Sequence, residues 1–167
     1  ARVIVVSHLG RPDGKPEELP WACGYPRPAT KWQHLTPGSM YWGPRYFHER
    51  SNLPIALTES GLATCDQVFL DGGVHDPQRI DTMHRYLLEL ARAVGEGVPV
   101  LGYWAWSLLD NFEWAEGYTQ RFGLTYVDYP TQRRMPKDSF EWYRRLIASE
   151  GRALLARTLL PADRVTG

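Results

Sequence analysis

The 167 residues hold 19 basic and 19 acidic side chains, a formal net charge of zero, so no long-range field exists to gather nucleic acid or an anionic membrane. The longest apolar run, residues 97–109, falls well short of the roughly 20 residues a membrane helix needs. The length suits one domain with its own core. The five histidines are scattered and no glycine-rich phosphate loop occurs, so neither a metal nor any other cofactor is expected.

In chain order, "RVIVV" (2–6) reads as a short buried strand. Residues 10–38 are dense in Gly and Pro and read as an irregular excursion. "TPGSMYWGPRYFHERSN" (36–52) predicts a helix capped by Thr36 with Pro37 first, Met40, Gly43 and Phe47 on one face, and Pro44 kinking it or delaying its start. "LPIALTES" (53–60) predicts a buried strand with polar residues at its end.

The clearest helix is "HDPQRIDTMHRYLLELARAVGEG" (75–97). Asp76 is its expected N-cap, Pro77 its first residue, and Ile80, Met83, Leu87, Leu90 and Val94 its apolar stripe. "VPVLGYWAWSLL" (98–109) is a continuous apolar strand of the kind covered on both sheet faces. "FGLTYVDY" (122–129) predicts a short extra strand. "KDSFEWYRRLIASEG" (137–151) predicts a helix with Asp138 and Glu141 as a capping box and Gly151 as its stop. Arg133, Arg134 and Lys137 read as a solvated basic face. Cys23 and Cys65 could form one bridge, but free buried thiols in a reducing, cytoplasmic setting are expected.

Strands alternating with helices specify a parallel α/β arrangement with right-handed crossovers. Three or four strands cannot close an eight-unit barrel, which takes about 250 residues. Ligands of such folds meet the carboxyl ends of the strands. Two features lie there. Glu59 ends one strand, and "WSLLDNFEWAEGYTQRFG" (106–123) leaves the next, mixing Trp106, Phe112, Trp114, Tyr118 and Phe122 with Asp110, Glu113 and Glu116. Aromatic faces beside fixed carboxylates suit a ligand with apolar C–H faces and a rim of hydroxyls, as a sugar has. On the residues alone Glu59 is equally a turn carboxylate, Trp106 a core indole, and the loop a cluster folded on itself.

"PIALTESG" resembles the "PIYITENG" signature of glycoside hydrolase family 1, and "GYWAWSLLDNFEWAEGYTQRFGLTYVDYPTQRRMPKDSFEWYRRLI" resembles its C-terminal segment. "YWGPRYFHER", "VHDPQRID" and "HRYLLEL" are also similar to bacterial β-glucosidases of the family. The likeness spans about residues 24–150 and implies an α/β fold: a partial (β/α)8 TIM barrel covering about strands 6–8 and their helices. Residues 1–167 would be the C-terminal segment of one catalytic domain: 1–35 irregular, 36–150 the matched βα units, 151–167 a tail.

The family cleaves β-linked glycosides with retention, which implies a small-molecule β-glycoside or oligosaccharide partner and neither nucleic acid nor membrane; oligomeric state is left open. By resemblance Glu59 is the nucleophile. Trp106 is the platform under the sugar, Glu113 grips two hydroxyls, Trp114 donates its indole N–H, and Phe122 is an apolar wall.

The departures are specific. Ser60 stands where the motif has Asn. The family's acid/base glutamate belongs to an Asn-Glu-Pro motif, and this chain has none. The segment alone is therefore expected to be inactive, with a non-catalytic carbohydrate-binding relic or a truncated, aggregation-prone fragment as the alternatives. "VSHLGRPDGK" (6–15) resembles a substrate loop of phosphoglycerate kinase, but "PEELPWACGYP" does not continue that pattern.

Overall fold

A computed structural model describes residues 29–30 and 32–155, with the side chain of Leu155 set aside. The predicted strand at 2–6, Cys23 and most of the irregular excursion and tail lie outside the described residues.

Helix α1 (Ser39–Ser51) starts at Gly38 rather than Thr36. Thr36 instead closes a turn, its carbonyl accepting the Ser39 N–H at 2.9 Å, and donates its own N–H to the Tyr86 hydroxyl at 3.1 Å. Pro44 lies inside the helix, and the buried residues are Tyr41 and Pro44. Met40 and Phe47 are only partly buried. Asn52 ends α1 in the left-handed region, at φ 55, returning its N–H to the His48 carbonyl, a conformation Asn tolerates better than most residues.

Strands β1 (Ile55–Ser60) and β2 (Val100–Ala105) run parallel, with Ile55 opposite Val100 and Ser60 opposite Ala105. Helix α2 (Pro77–Gly95) forms the crossover between them, which gives a βαβ unit. Its buried stripe is Ile80, Met83, Tyr86, Leu90 and Ala93. The stripe is rotated from the predicted one, so Val94 is exposed, because the aromatic Tyr86 turns inward to Leu35 and Leu62. The second core cluster packs Tyr41, Ile55, Ala93 and Val98 together. Ile55 and Val98 each contribute about 1.5–3 kcal/mol when removed from water.

The expected double cover of β2 is not met among the described residues: Leu101 and Trp104 are exposed. The predicted extra strand is β3 (Thr125–Asp128), and its antiparallel partner is β4 (Arg133–Pro136). The basic "RRMP" gave no alternating pattern by which β4 could be foreseen. Helix α3 (Asp138–Ala148) follows. Its stop is as predicted: Gly151, at φ 82, donates to the Leu146 carbonyl at 3.0 Å.

The capping box is not formed. Asp138 is the first residue of the helix rather than its cap. Its carboxylate binds His75 at 2.7 Å, and Glu141 is taken by Arg144. Asp76 sits at the α2 N-cap, as expected, yet its side chain caps no backbone N–H of that helix. It accepts instead from the N–H and hydroxyl of Ser139 on α3. Cys65 is a free thiol but exposed, contrary to the expected burial. No described helix is long and apolar enough to cross a membrane.

Candidate functional site

The carboxyl ends of β1 and β2 are tied together by backbone bonds. Trp106 donates its N–H to the Ser60 carbonyl at 2.8 Å, Ser107 to Phe122 at 3.1 Å, and Leu124 to Ser107 at 2.8 Å. The backbone segments that carry Glu59, Trp106 and Phe122 are therefore neighbours. Glu59 is exposed and Trp106 is 39 % exposed, so neither is a core residue. The Trp106–Ser107 peptide is cis.

Phe122 is only 4 % exposed and stacks on Trp32, with ring centroids 6.4 Å apart. Gly61, next to the acid's strand end, is obligatory. A Cβ there would lie 2.0 Å from the Trp106 carbonyl oxygen and 3.4 Å from the Phe122 ring.

Ser60 has its own support: its hydroxyl accepts from the Tyr103 O–H at 3.0 Å. Burial pushes the Tyr103 phenol well above its usual range, so the hydroxyl stays protonated and remains a donor. Gln33 clamps the turn beyond, donating to the Gly61 carbonyl at 2.5 Å and accepting from the Ala63 N–H at 3.1 Å.

Glu113 and Trp114 stand on a separate turn further along the loop, where the Glu113 N–H meets the Gly117 carbonyl at 2.7 Å and Trp114–Glu116 form a single 3-10 turn. Trp114 is 77 % exposed, at φ 41. The loop does fold partly on itself: Phe112 packs edge-on to Tyr118, and Tyr118 against Tyr129. Glu116 returns its carbonyl to the Thr119 N–H and hydroxyl.

Beneath the loop lies a buried ionic cluster that the sequence did not announce. Lys137, expected in solvent, has a fully buried side chain that bridges Asp66 and Asp110, at 2.8 Å from the latter. Asp66 also binds Arg79 at 2.6 Å and Thr64 at 2.6 Å. Arg121 binds Asp110 at 2.7 Å. Arg79 Nε lies 3.2 Å from Asp76 without hydrogen-bond alignment.

Three carboxylates, Asp66, Asp76 and Asp110, thus face three cations, Arg79, Arg121 and Lys137, and no net charge is buried, the condition under which such a cluster is tolerated. Burial pushes the Asp66 carboxyl up, but Arg79 and Lys137 outweigh it and hold it below the usual range. Burial, with Arg79 nearby, lowers the Lys137 ammonium. Burial raises Asp76 to about 6 despite Arg79 and Ser139. Arg133 and Arg134 are exposed, as expected of the basic face.

The only advance signal for the cluster was chemical: Asp110 sits two residues before the aromatic Phe112 and follows two leucines, an apolar setting in which a carboxylate needs partners.

The model of the glycosyl hydrolase family 1 matches residues 18–152. The chain is 46 % identical over 127 residues to β-glucosidase A of Thermotoga maritima, covering 75 % of this chain and 28 % of that protein. It is 57 % identical over 100 residues to a bifunctional β-D-glucosidase/β-D-fucosidase of Bifidobacterium breve, covering 58 % and 22 %. Among solved structures, the Thermotoga maritima β-glucosidase in complex with glucoimidazole superposes with a TM-score of 0.73 at 46 % identity, over 76 % of this chain and 29 % of that one. The complex with deoxynojirimycin superposes equally well. The chain thus spans less than a third of these relatives, and its α/β fold corresponds to a piece of a TIM barrel. With the family model matched over most of its length and β1, β2 and the aromatic loop in place, the chain belongs to glycosyl hydrolase family 1.

Proposed function

We propose that this chain carries the nucleophile and part of the sugar-binding loop of a retaining β-glycosidase of the β-glucosidase type, equivalent to about strands 6–8 of the barrel. One observation carries the reading most: the exposed Glu59 at the end of β1 lies beside the half-exposed Trp106 at the end of β2, joined through the Ser60–Trp106 bond of 2.8 Å. Relatives crystallised with glucoimidazole and deoxynojirimycin support a small sugar as the ligand.

In this mechanism a Glu59 oxygen attacks the anomeric carbon, a bond forms between them, and the bond to the aglycone oxygen breaks with its electron pair. Water later displaces Glu59. A second carboxylate about 5–5.5 Å away normally protonates the leaving group and then activates the water. No Asn-Glu-Pro glutamate is present in these residues, so the segment by itself is inactive on ordinary glycosides. Trp106 stacks on the sugar's C–H face, Glu113 and the Trp114 N–H take hydroxyls, and Phe122 lines the apolar side by way of its buried ring. Such contacts lower the barrier to the extent that they tighten as the sugar distorts.

A 2-deoxy-2-fluoro-β-glucoside with a dinitrophenolate leaving group tests the nucleophile without needing the acid. The expected result is a single fluoroglucosyl mass added at Glu59. No addition at any concentration, with the sugar still bound, would establish the non-catalytic carbohydrate-binding alternative.

A further inference from the structure

Both limbs of the 106–123 loop converge on one buried carboxylate. Asp110, on the outgoing limb, has a fully buried side chain. Its Oδ1 accepts from the Gly123 N–H at 2.9 Å and Lys137 Nζ at 2.8 Å, and its Oδ2 from Arg121 Nη1 at 2.7 Å and the Val127 N–H at 3.3 Å. Gly123, Arg121 and Val127 belong to the returning limb and to β3. The fit is close enough that a Cβ on Gly123 would lie 2.7 Å from Oδ1 and 2.2 Å from the Asp110 nitrogen.

Lys137 carries the same grip to Asp66, seven residues beyond Glu59, and Thr64 exchanges both backbone bonds with Arg121 at 3.1 and 3.2 Å. The loop is thereby fastened to the segment that follows the nucleophile strand.

We infer that Asp110, held by Lys137 and Arg121, is the positioning residue of the loop, fixing where Trp106 and Glu113 stand relative to Glu59. This deepens the reading above and rests on it for what the loop binds. All four partners of the carboxylate are donors, so an isosteric amide must turn an N–H2 toward one pair of them. Volume is conserved and satisfaction is lost, which moves the limbs rather than opening a cavity.

The test is Asp110→Asn, read in two ways. In hydrogen exchange, amides of residues 107–123 are expected to exchange about ten- to a hundredfold faster, the scale of an unmade buried charge-assisted bond, while those of β1 and α2 keep their protection. In deoxynojirimycin binding followed by tryptophan fluorescence, the loss of affinity caused by Glu113→Gln is expected to shrink in the Asp110→Asn background, because a displaced Glu113 has less to lose. Uniform loss of protection, or fully multiplicative effects on binding, overturns the positioning role. Should Glu113→Gln leave binding unchanged in the parent, the sugar reading fails while the exchange pattern still decides the positioning. Arg121→Gln, which removes one donor and leaves Lys137 in place, gives the same localised pattern at smaller amplitude if Asp110→Asn does not fold.

Discussion

The foot and the tip of the 106–123 loop are built on opposite plans. At the foot, Asp110 is sealed from solvent and receives four donors, and the Trp106 and Ser107 amides are spoken for. At the tip, Trp114 is exposed and Glu113 sits on a single short turn. A ligand-gripping loop has reason to be so divided. In the proposed role the foot would fix geometry before a sugar binds, which reduces the ordering cost of binding, while at the tip the Trp114 indole stays exposed.

The comparison is broken most severely at the strand end itself. Glu59→Gln is expected to abolish covalent trapping of the fluoro-sugar completely while leaving the unfolding transition in place, since Glu59 is exposed. Mass spectrometry checks the first and urea unfolding the second. Labelling that persists on another carboxylate would move the nucleophile elsewhere.

At the foot, Lys137→Met removes the cation shared by Asp66 and Asp110 and leaves both carboxylates buried with one partner fewer. A loss of about 3–5 kcal/mol is expected, the scale of breaking a buried pair from one side, measured as a shift in urea midpoint. A loss below about 1 kcal/mol, the value of a surface pair, would mean that the cluster is hydrated in solution.

Between foot and strand end, Gly61→Ala forces a methyl into the Trp106 carbonyl and is expected to cost about 1–3 kcal/mol, as overpacking does. Gly95→Ala supplies the contrast. Nothing lies within 4 Å of that position at the last residue of α2, so a gain of about 0.5 kcal/mol is expected from helix propensity.

What the sequence made legible follows the range of the forces involved. Strands β1 and β2 and helix α2 carry local periodicity, and their existence and order were plain. Glu59 and Trp106 were legible because strand ends locate them. The distant partners were not foreseen: Asp76, at its expected cap position, reaches Ser139, 63 residues on, and Lys137, expected in solvent, reaches Asp66, 71 residues back. Such pairings leave no trace in local spacing. Lys137 between Pro136 and Asp138 looks like any surface lysine until the loops close over it. Phe122 is the intermediate case. Its apolar character was evident, but not its packing beneath Trp32.

In the pH dependence of stability, the sign of the effect distinguishes the two layers of charge. Asp138 and Asp71 both bond the His75 ring, at 2.7 and 2.9 Å, and raise its pKa above 6.5. A raised base stabilises the fold fully below its unfolded value of 6.5, and that contribution fades as pH climbs through the folded one. Asp76, raised by burial from 3.8 to about 6, stabilises the fold as the neutral acid, and that contribution is lost as pH rises between those two values. Asp66 has the opposite sign: its lowered pKa makes a contribution present above 3.8 that fades as pH falls further. Urea midpoints followed from pH 4 to 8 should therefore decline more steeply in the parent than in Asp76→Asn across pH 4–6, and more steeply than in His75→Asn above pH 6.5. Parallel curves in the first interval would mean that Asp76 is ionised throughout, and that the buried cluster tolerates its charge without the neutral carboxyl.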